Sequence, residues 1–241
     1  TNTLAYSSDG ITWVGIGTAI FSTSGYGVFY NGNIWLAFGA GTFSIAYSYN
    51  GISWTGITNS TSLYSTAGYM ATWNGQIFAS VGQGTTNTIA YSTDGISWIG
   101  VGVTIFSTAG YGISSNNTLF VAVGAGTNTI LYSTTGTTWT GVGTTIFSTQ
   151  GNAVCWTGSR FVAVGSGTNT IAYSSDGISW YGVGVSIFST SGTGITSNSR
   201  IGFPIFDSQM TLGVNESYQL DITSDYYQRG NKSLSVNIKN R

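Results

Sequence analysis

Few residues in the first 190 positions of this 241-residue chain could carry acid–base chemistry. Asp9, Asp94 and Asp176 are the only acids in that stretch, and Arg160 is its only basic residue. The chain has no histidine, which excludes histidine-dependent catalysis and histidine-ligated metal sites. Two carboxylates can hydrolyse a glycosidic bond, but only when they lie ~5–9.5 Å apart.

The three acids occupy equivalent places in a repeated segment, which argues against such a pair. Each lies in the pattern Ser-x-Asp-Gly-x-Ser/Thr-Trp, so they are expected on separate structural units. Two further copies carry Asn50 and Thr135 in place of the acid. Asn makes the same side-chain-to-backbone turn as Asp, and Thr makes a weaker one, whereas a catalytic acid tolerates neither change. We therefore predict a structural turn at all five positions, with no enzymatic activity, no catalytic or metal site and no cofactor.

The repeat organises most of the chain. Its tryptophans, Trp13, Trp54, Trp98, Trp139 and Trp180, lie 41, 44, 41 and 41 residues apart. Each copy continues with an aromatic-Ser-Thr segment and then a short glycine-containing strand. The first four copies add a second short strand that ends in glycine. No segment keeps an apolar period of 3.6, and Asp-Gly suits a two-residue hairpin turn, so each unit is predicted to form four short strands. This pattern predicts an all-β, five-bladed β-propeller of four-stranded antiparallel blades with a repeat of ~41 residues.

The two ends of the repeat predict how the propeller closes. The chain opens at the third strand of a blade, and residues 192–205 correspond to the first two strands of another copy, 110–123. Pairing of these N- and C-terminal strands would complete the fifth blade and remove open sheet edges. Pro204 is unusual within a sheet, so this blade is expected to be irregular. The predicted domains are the propeller, 1–206, and a C-terminal β-strand extension, 207–241.

The turn sequence resembles a known motif. Residues 7–13, with copies at 92–98 and 174–180, resemble the Asp-box of bacterial neuraminidase repeats and related propellers, although one residue between Asp and Gly is missing here. The resemblance extends over residues 1 to about 205 and implies a β-propeller. In that family the box is a turn of enzymes and non-enzymes alike. A sialidase would also need an arginine cluster for its substrate, and residues 1–190 contain one arginine. The resemblance therefore implies a non-catalytic propeller.

Charge is scarce and unevenly distributed. Charged residues make up 5% of the chain, against roughly 25% in ordinary domains, and the net charge is -1. Nucleic-acid binding is therefore not expected. No apolar run approaches the ~20 residues of a membrane-spanning helix, so membrane insertion is not expected either. Of the 13 charged residues, 4 lie within 1–190 and 9 within 200–241. The tail strands predicted at 210–214, 218–222 and 234–238 either pack on the propeller, pair with a neighbouring subunit or begin an adjoining domain.

Two functions fit this composition. Low charge leaves little repulsion between copies, which favours a structural or assembly module of an extracellular or virion surface, self-associating through its C-terminal strands. The alternative is a lectin that binds neutral glycans multivalently through repeated uncharged pockets. The aromatic-Ser-Thr loops would then supply sugar contacts, although symmetric packing also explains them. The candidate contacts are Phe21, Ser22, Thr23, Phe106, Ser107, Thr108, Phe188, Ser189 and Thr190, with Trp35, Trp73 and Trp156 outside the repeat pattern.

Two further predictions concern single residues. The five repeated tryptophans are expected in the core between blades, and Cys155 is expected to be a small buried thiol. Asn-x-Ser/Thr sequons offer N-glycosylation sites if the chain is secreted. These are Asn59, Asn116, Asn215 and Asn231.

Overall fold

A computed structural model of the chain describes residues 2–197, 219–220 and 238–239. The sheets and the helix described next belong to a unit that spans residues 1–201, and a pair of short strands belongs to a second unit, 202–241. No helix among the described residues is long and apolar enough to cross a membrane.

The first unit consists of a two-stranded N-terminal hairpin and four four-stranded sheets, named sheets I to IV. The hairpin contains β1 (Leu4–Tyr6) and β2 (Val14–Gly17). Sheet I contains β3 (Ser24–Tyr30), β4 (Trp35–Ala40), β5 (Ile45–Ser48) and β6 (Thr55–Gly56). A single-turn helix, α1 (Ser60–Leu63), then leads to sheet II, which contains β7 (Ala67–Trp73), β8 (Phe78–Gln83), β9 (Ile89–Ser92) and β10 (Ile99–Gly102).

Sheets III and IV repeat this arrangement. Sheet III contains β11 (Ala109–Ser115), β12 (Phe120–Ala125), β13 (Ile130–Ser133) and β14 (Thr140–Gly143). Sheet IV contains β15 (Gln150–Trp156), β16 (Phe161–Ser166), β17 (Ile171–Ser174) and β18 (Tyr181–Gly184). The second unit pairs β19 (Gln219–Leu220) with β20 (Ile238–Lys239). Within every sheet each strand pairs antiparallel with its sequence neighbour, so the predicted all-β fold of four-stranded antiparallel sheets is confirmed.

The cores lie between consecutive sheets. Separate apolar clusters join the hairpin to sheet I, sheet I to II, II to III and III to IV. An aromatic ring from each connecting loop is fully buried there, and the rings are those of Phe21, Tyr64, Phe106 and Phe147. Successive sheets that pack face to face in this way make the fold β-propeller-like.

Glycines allow these rings to approach the backbone. A Cβ added at Gly82 would lie 2.7 Å from the Tyr64 ring, and one at Gly165 would lie 2.8 Å from the Phe147 ring. Both separations are too short for real atoms. The glycine that ends the second strand of these sheets is therefore required by packing.

The first strand of each of sheets I to IV, here named the inner strand, carries a β-bulge. In sheet III the register passes from Gly110↔Gly124 to Gly112↔Val123, which leaves Tyr111 without a partner in the ladder. Sheets I, II and IV shift register at the same place. A bulge bends the strand and redirects the side chain of its extra residue. The redirected residues are Tyr26, Tyr69, Tyr111 and Asn152.

The tryptophans of the turns follow the prediction with one exception. Trp54, Trp98, Trp139 and Trp180 pack in or against the clusters between sheets. Trp13 of the hairpin is 63% exposed, so its predicted core position is wrong for the described residues. The reason is that each of the other four tryptophans packs against the preceding hairpin or sheet, whereas no sheet among the described residues covers Trp13. The strands predicted to close the propeller are described only in part. Ser191 forms an isolated bridge with Ser166, and residues 192–197 are irregular. Residues 198–205 and the predicted tail strand 210–214 lie outside the described residues.

The close packing at glycine predicts the effect of adding one methyl group. Gly124→Ala places a Cβ inside the contact distance of the Ala109 carbonyl oxygen. Because both groups belong to paired backbone strands, we expect the free energy of unfolding to fall by about 1–3 kcal/mol. Urea titration followed by circular dichroism measures this change. The unsubstituted chain is the reference, and equal stability of the two proteins would contradict the packing argument.

Candidate functional site

The predicted turn residues bond to their own hairpins. In the sheet II turn, Asp94 Oδ1 accepts hydrogen bonds from the backbone N–H of Ile96 (2.8 Å) and Ser97 (2.7 Å). Ser92 Oγ donates to the same carboxylate at 2.9 Å and accepts the N–H of Gly95 at 2.8 Å. Asp9 and Asp176 make the same set of contacts in the hairpin and in sheet IV. One oxygen of each carboxylate is therefore engaged in holding the turn.

The two replaced acids keep the same turn with different strength. Asn50 Oδ1 accepts the N–H of Ile52 at 2.9 Å and of Ser53 at 2.8 Å, which matches the aspartates. Thr135 Oγ1 accepts the corresponding pair at 3.2 Å each. The longer distances mean weaker bonds, because a hydroxyl on a shorter side chain reaches less far than a carboxylate.

These contacts lower the pKa of the carboxyl groups. Hydrogen bonds from the backbone N–H groups of Ile178 and Ser179 bring the pKa of Asp176 to about 2. Partial burial raises the pKa of Asp94, but its hydrogen bonds outweigh burial and bring it to about 2 as well. The pKa of Asp9 is also lowered, by the backbone hydrogen bonds of its turn. A lowered pKa keeps each group ionised at neutral pH, where it cannot donate a proton.

The turn carboxylates predict loss of stability in acid. Their folded-state pKa lies below the ordinary 3.8, so the stabilisation is complete above about pH 5 and is lost as pH falls from about 4 to 2. We expect the urea midpoint of unfolding to fall over that interval. A triple Asp→Asn variant at positions 9, 94 and 176 should lose less, because the amide oxygen accepts the same bonds without titrating. An equal acid-induced decrease in both proteins would show that other groups cause it.

The candidate sugar contacts in the loops are largely inaccessible as stacking surfaces. Phe21 and Phe106 expose none of their surface, so neither ring can stack on a sugar. Ser107 and Thr108 are exposed, but Ser107 Oγ accepts the N–H of Thr127 at 3.0 Å and joins neighbouring loops. The loop of the last copy differs, because Phe188 is 44% exposed and Ser189 and Thr190 are exposed. Ser22 and Thr23 are also exposed.

The three tryptophans outside the repeat pattern lie at strand ends and are half-buried. Trp35 stacks on Tyr30, with centroids 4.3 Å apart. Trp73 packs on Phe78, and Trp156 lies 4.7 Å from Phe161. These contacts show rings used partly for intramolecular packing.

The cysteine and the sequons fall in varied surroundings. Cys155 is half-buried, and burial raises the pKa of its thiol. Asn59 is exposed in the left-handed region, with φ of 65°. Asn116 Oδ1 accepts the N–H of Leu119 in a tight turn, so its side chain is engaged. Asn215 and Asn231 lie outside the described residues. No group of three or more His, Cys, Asp or Glu suited to a metal ion occurs within the described residues.

A row of tyrosines was missed at the sequence level. The bulge residues Tyr26, Tyr69 and Tyr111 contact each other from sheet to sheet, with centroids 5.1 and 5.6 Å apart. The Tyr69 hydroxyl donates to Gln83 Oε1 at 3.0 Å. Burial raises the pKa of Tyr69. The signal in the sequence is a tyrosine that follows a glycine of the inner strand, but its meaning depends on the bulge.

A pocket of about 560 Å³ lies between sheets I and II, where the only site predicted from the sequence is the Asn59 sequon. Its lining combines two aromatic residues with hydroxyl and amide side chains and includes no charged residue. The residues used below are Tyr47, Thr55, Ser62, Asn87, Ser97 and Trp98.

Comparison with protein-family models and with curated protein sequences returned no match. Several solved structures align with part of this chain. A computationally designed protein, Ika4, aligns with 67% of this chain and 92% of its own, at 12% identity and a TM-score of 0.47. A Bacteroides thetaiotaomicron protein of unknown function aligns at 13% identity, with 66% of this chain covered and a TM-score of 0.46. The Niastella koreensis GH74 enzyme aligns at 20% identity, with 66% of this chain covered and a TM-score of 0.46.

The alignments cover small parts of the two natural proteins. The aligned region spans 42% of the Bacteroides protein and 24% of the Niastella enzyme.

Proposed function

We propose that this chain is a non-enzymatic structural module of an extracellular or virion surface, built as a closed five-bladed β-propeller that associates with further copies of itself. The observation that carries the proposal is that the few carboxylates of the described residues serve to hold turns. All three carboxylates among residues 2–197 are bound within their own turns, where they stabilise hairpins. A surface otherwise made of hydroxyl, amide and apolar groups offers little electrostatic repulsion to another copy.

The outer face of sheet IV supports closure. Phe188 and Ile187 are 44% and 65% exposed there. Their counterparts one repeat earlier are Phe147, which is fully buried, and Ile146, which packs against the core between sheets III and IV. The same apolar positions are thus covered in sheet III and uncovered in sheet IV.

The N-terminal hairpin carries the complementary face. In sheet IV, Trp180 and Ala172 pack against sheet III and are 9% and 0% exposed. Their counterparts in the hairpin are Trp13, which is 63% exposed, and Ala5, which is exposed. A fifth blade made of this hairpin and residues 192–205 would cover both faces in the way that sheet IV covers sheet III. Burial of about 25 cal/mol per Å² of apolar surface would drive this closure.

Closure predicts a large effect at an apparently exposed phenylalanine. If the ring closes, Phe188→Ala should lower the free energy of unfolding by about 3–5 kcal/mol, the cost expected for its buried counterpart in Phe147→Ala. Urea unfolding followed by tryptophan fluorescence compares the two variants. A cost within about 0.5 kcal/mol for Phe188→Ala, as for an ordinary surface residue, would contradict closure.

The concentration dependence of this effect separates closure from docking between copies. Contacts within one chain stabilise it equally at every protein concentration, whereas contacts between chains strengthen with concentration. We expect the cost of Phe188→Ala to stay constant over a hundredfold dilution.

The C-terminal strands supply the proposed contact between copies. β19 and β20 pair through two residues each, and a two-stranded pair is marginally stable by itself. An additional strand from a neighbouring subunit would extend this sheet by backbone hydrogen bonds. The repeated-loop lectin finds less support, because its phenylalanine rings are buried in two of the three proposed loops.

Deletion of residues 207–241 tests the assembly role. We expect the full chain to form multimers in light scattering and electron microscopy, and the shortened chain to remain a folded monomer with the same β-sheet circular dichroism. Multimers of unchanged size after the deletion would exclude the tail as the assembly element. A monomeric full chain at all concentrations would contradict the assembly function itself.

A further inference from the structure

We infer that the pocket between sheets I and II binds one neutral saccharide unit per chain. This activity is additional to the proposed structural role and does not depend on it. The pocket arises at the one irregular repeat, and four independent features of that repeat point to a ligand of this kind.

The first feature is an insertion that builds one wall of the pocket. The tryptophans Trp54 and Trp98 lie 44 residues apart, three more than the other neighbouring pairs. Where the other repeats have bends, this copy has the helical turn α1. Thr58, Asn59 and Ser62, from this segment, line the pocket with exposed polar side chains.

The second feature is a set of substitutions that hold the inserted wall in place. Phe43 replaces the asparagine found at this position in the other four copies, and its ring lies directly over Gly56. Ser44 replaces threonine and donates two hydrogen bonds to Ser60, the first residue of α1: its backbone N–H to the Ser60 hydroxyl and its own hydroxyl to the Ser60 carbonyl oxygen. The irregular segment is therefore anchored to the buried part of sheet I.

The third feature is the side-chain amide of Asn87, whose N–H group does not make the loop-to-loop hydrogen bond that its counterparts make. In the two later repeats, Asn128 and Asn169 donate Nδ2–H to the backbone oxygens of Ile105 and Ile146, at 2.9 and 2.7 Å. Asn87, at the same position, keeps the structural bond from Gly102 N–H to its Oδ1. Its Nδ2 instead donates to the neighbouring Thr86 hydroxyl at 3.2 Å.

This difference leaves donor capacity at the pocket. A side-chain amide has two N–H donors, so Asn87 can bind a ligand oxygen while it holds Gly102. The released donor belongs to a residue that lines the pocket.

The fourth feature is the balance of the lining. The rings of Tyr47 and Trp98 are half-buried and line the pocket, while Thr55, Ser62 and Ser97 present exposed side chains. A volume of about 560 Å³ falls within the 300–1,000 Å³ of typical ligand sites. With no cation in the lining, a phosphate or carboxylate would lose part of its hydration without gaining an opposite charge. A neutral molecule with several hydroxyls and an apolar ring face can stack on the aromatic residues and hydrogen-bond to the hydroxyl and amide side chains.

The test is titration of the full chain, produced in bacteria so that Asn59 carries no glycan. The probes are glucose, galactose, mannose, N-acetylglucosamine and the β1,4-linked disaccharides of glucose and N-acetylglucosamine. Calorimetry and saturation-transfer NMR should show saturable binding of at least one probe, with a dissociation constant of about 1 mM and a stoichiometry of one per chain. No saturable binding of any probe up to about 20 mM would overturn the inference.

Matched variants place the binding in this pocket. Ser97→Tyr puts a ring into the pocket and should weaken binding at least tenfold. Ser179→Tyr makes the same change in the equivalent exposed turn of sheet IV and should leave affinity unchanged. Asn87→Asp keeps the acceptor for Gly102 but removes the amide donor, so affinity should fall about 2- to 10-fold. Asn128→Asp is its control outside the pocket.

Thermal unfolding of each variant confirms that the fold is retained. Equal weakening by Ser97→Tyr and Ser179→Tyr, or a stoichiometry of several sugars per chain, would overturn the placement in this pocket. The assembly measurements on the shortened chain are unaffected by either result, so the two proposals fail separately.

Discussion

The close approach of a buried aromatic ring to a glycine is the contact on which the rest of this structure depends. The rings of Phe21, Tyr64 and Phe147 turn inward and lie against a glycine of the neighbouring strand, as Phe21 does over Gly39. In the repeats that carry phenylalanine in this loop, a threonine hydroxyl donates a hydrogen bond to the carbonyl oxygen of that phenylalanine, as Thr3 does to Phe21 at 2.7 Å. The loop is thereby fixed to its sheet, and a flat apolar face is left for the next sheet. With four charged residues among positions 2–197, this part of the chain relies on packing and on hydrogen-bonded turns rather than on ion pairs.

In the irregular repeat the buried aromatic residue is a tyrosine, and a second substitution provides a hydrogen-bond partner for its hydroxyl. Tyr64 occupies the place of the buried phenylalanines and brings a hydroxyl into the core. Ser80, which replaces the alanine of the other sheets, meets that hydroxyl at 2.8 Å, and the Ser80 carbonyl oxygen accepts it at 2.9 Å. A buried hydroxyl without a partner would be costly, so the second change offsets the first. The same repeat carries the insertion and the pocket, which identifies it as the specialised unit of the array.

The ends of a repeat array pose a different physical problem from its middle. An interior sheet covers the apolar face of its neighbour, and a terminal sheet leaves the same face uncovered. Here the uncovered positions at the two ends, represented by Phe188 and Trp13, are the two halves of one interface that recurs inside the array. This complementarity is why a closed ring is the arrangement we propose, and it follows from the repeat itself rather than from similarity to another protein.

Much of the fold could be predicted because the repeat occurs five times in the sequence. The Ser-x-Asp-Gly turn, the strand count of each unit and the role of Asn50 and Thr135 all follow from local hydrogen-bonding chemistry, which short segments specify by themselves. The unusual spacing of 44 residues was also visible, but a spacing does not say whether extra residues form a bulging loop or a helical wall.

Three features of the molecule were determined by the tertiary structure and could not be predicted from the sequence. The aromatic-Ser-Thr loops read equally well as sugar contacts or as packing, and only the inward rotation of the Phe21 and Phe106 rings distinguishes the two. The tyrosine row depends on a bulge that redirects one residue of each inner strand, and a bulge arises from pairing between strands. The release of Asn87 depends on the distance to a carbonyl oxygen about 23 residues earlier in the regular repeats. The sequence by itself determined the repeated turns and strands, because these depend on neighbouring residues. Burial, strand register and the pocket were decided by contacts between distant residues, which only the folded chain brings together.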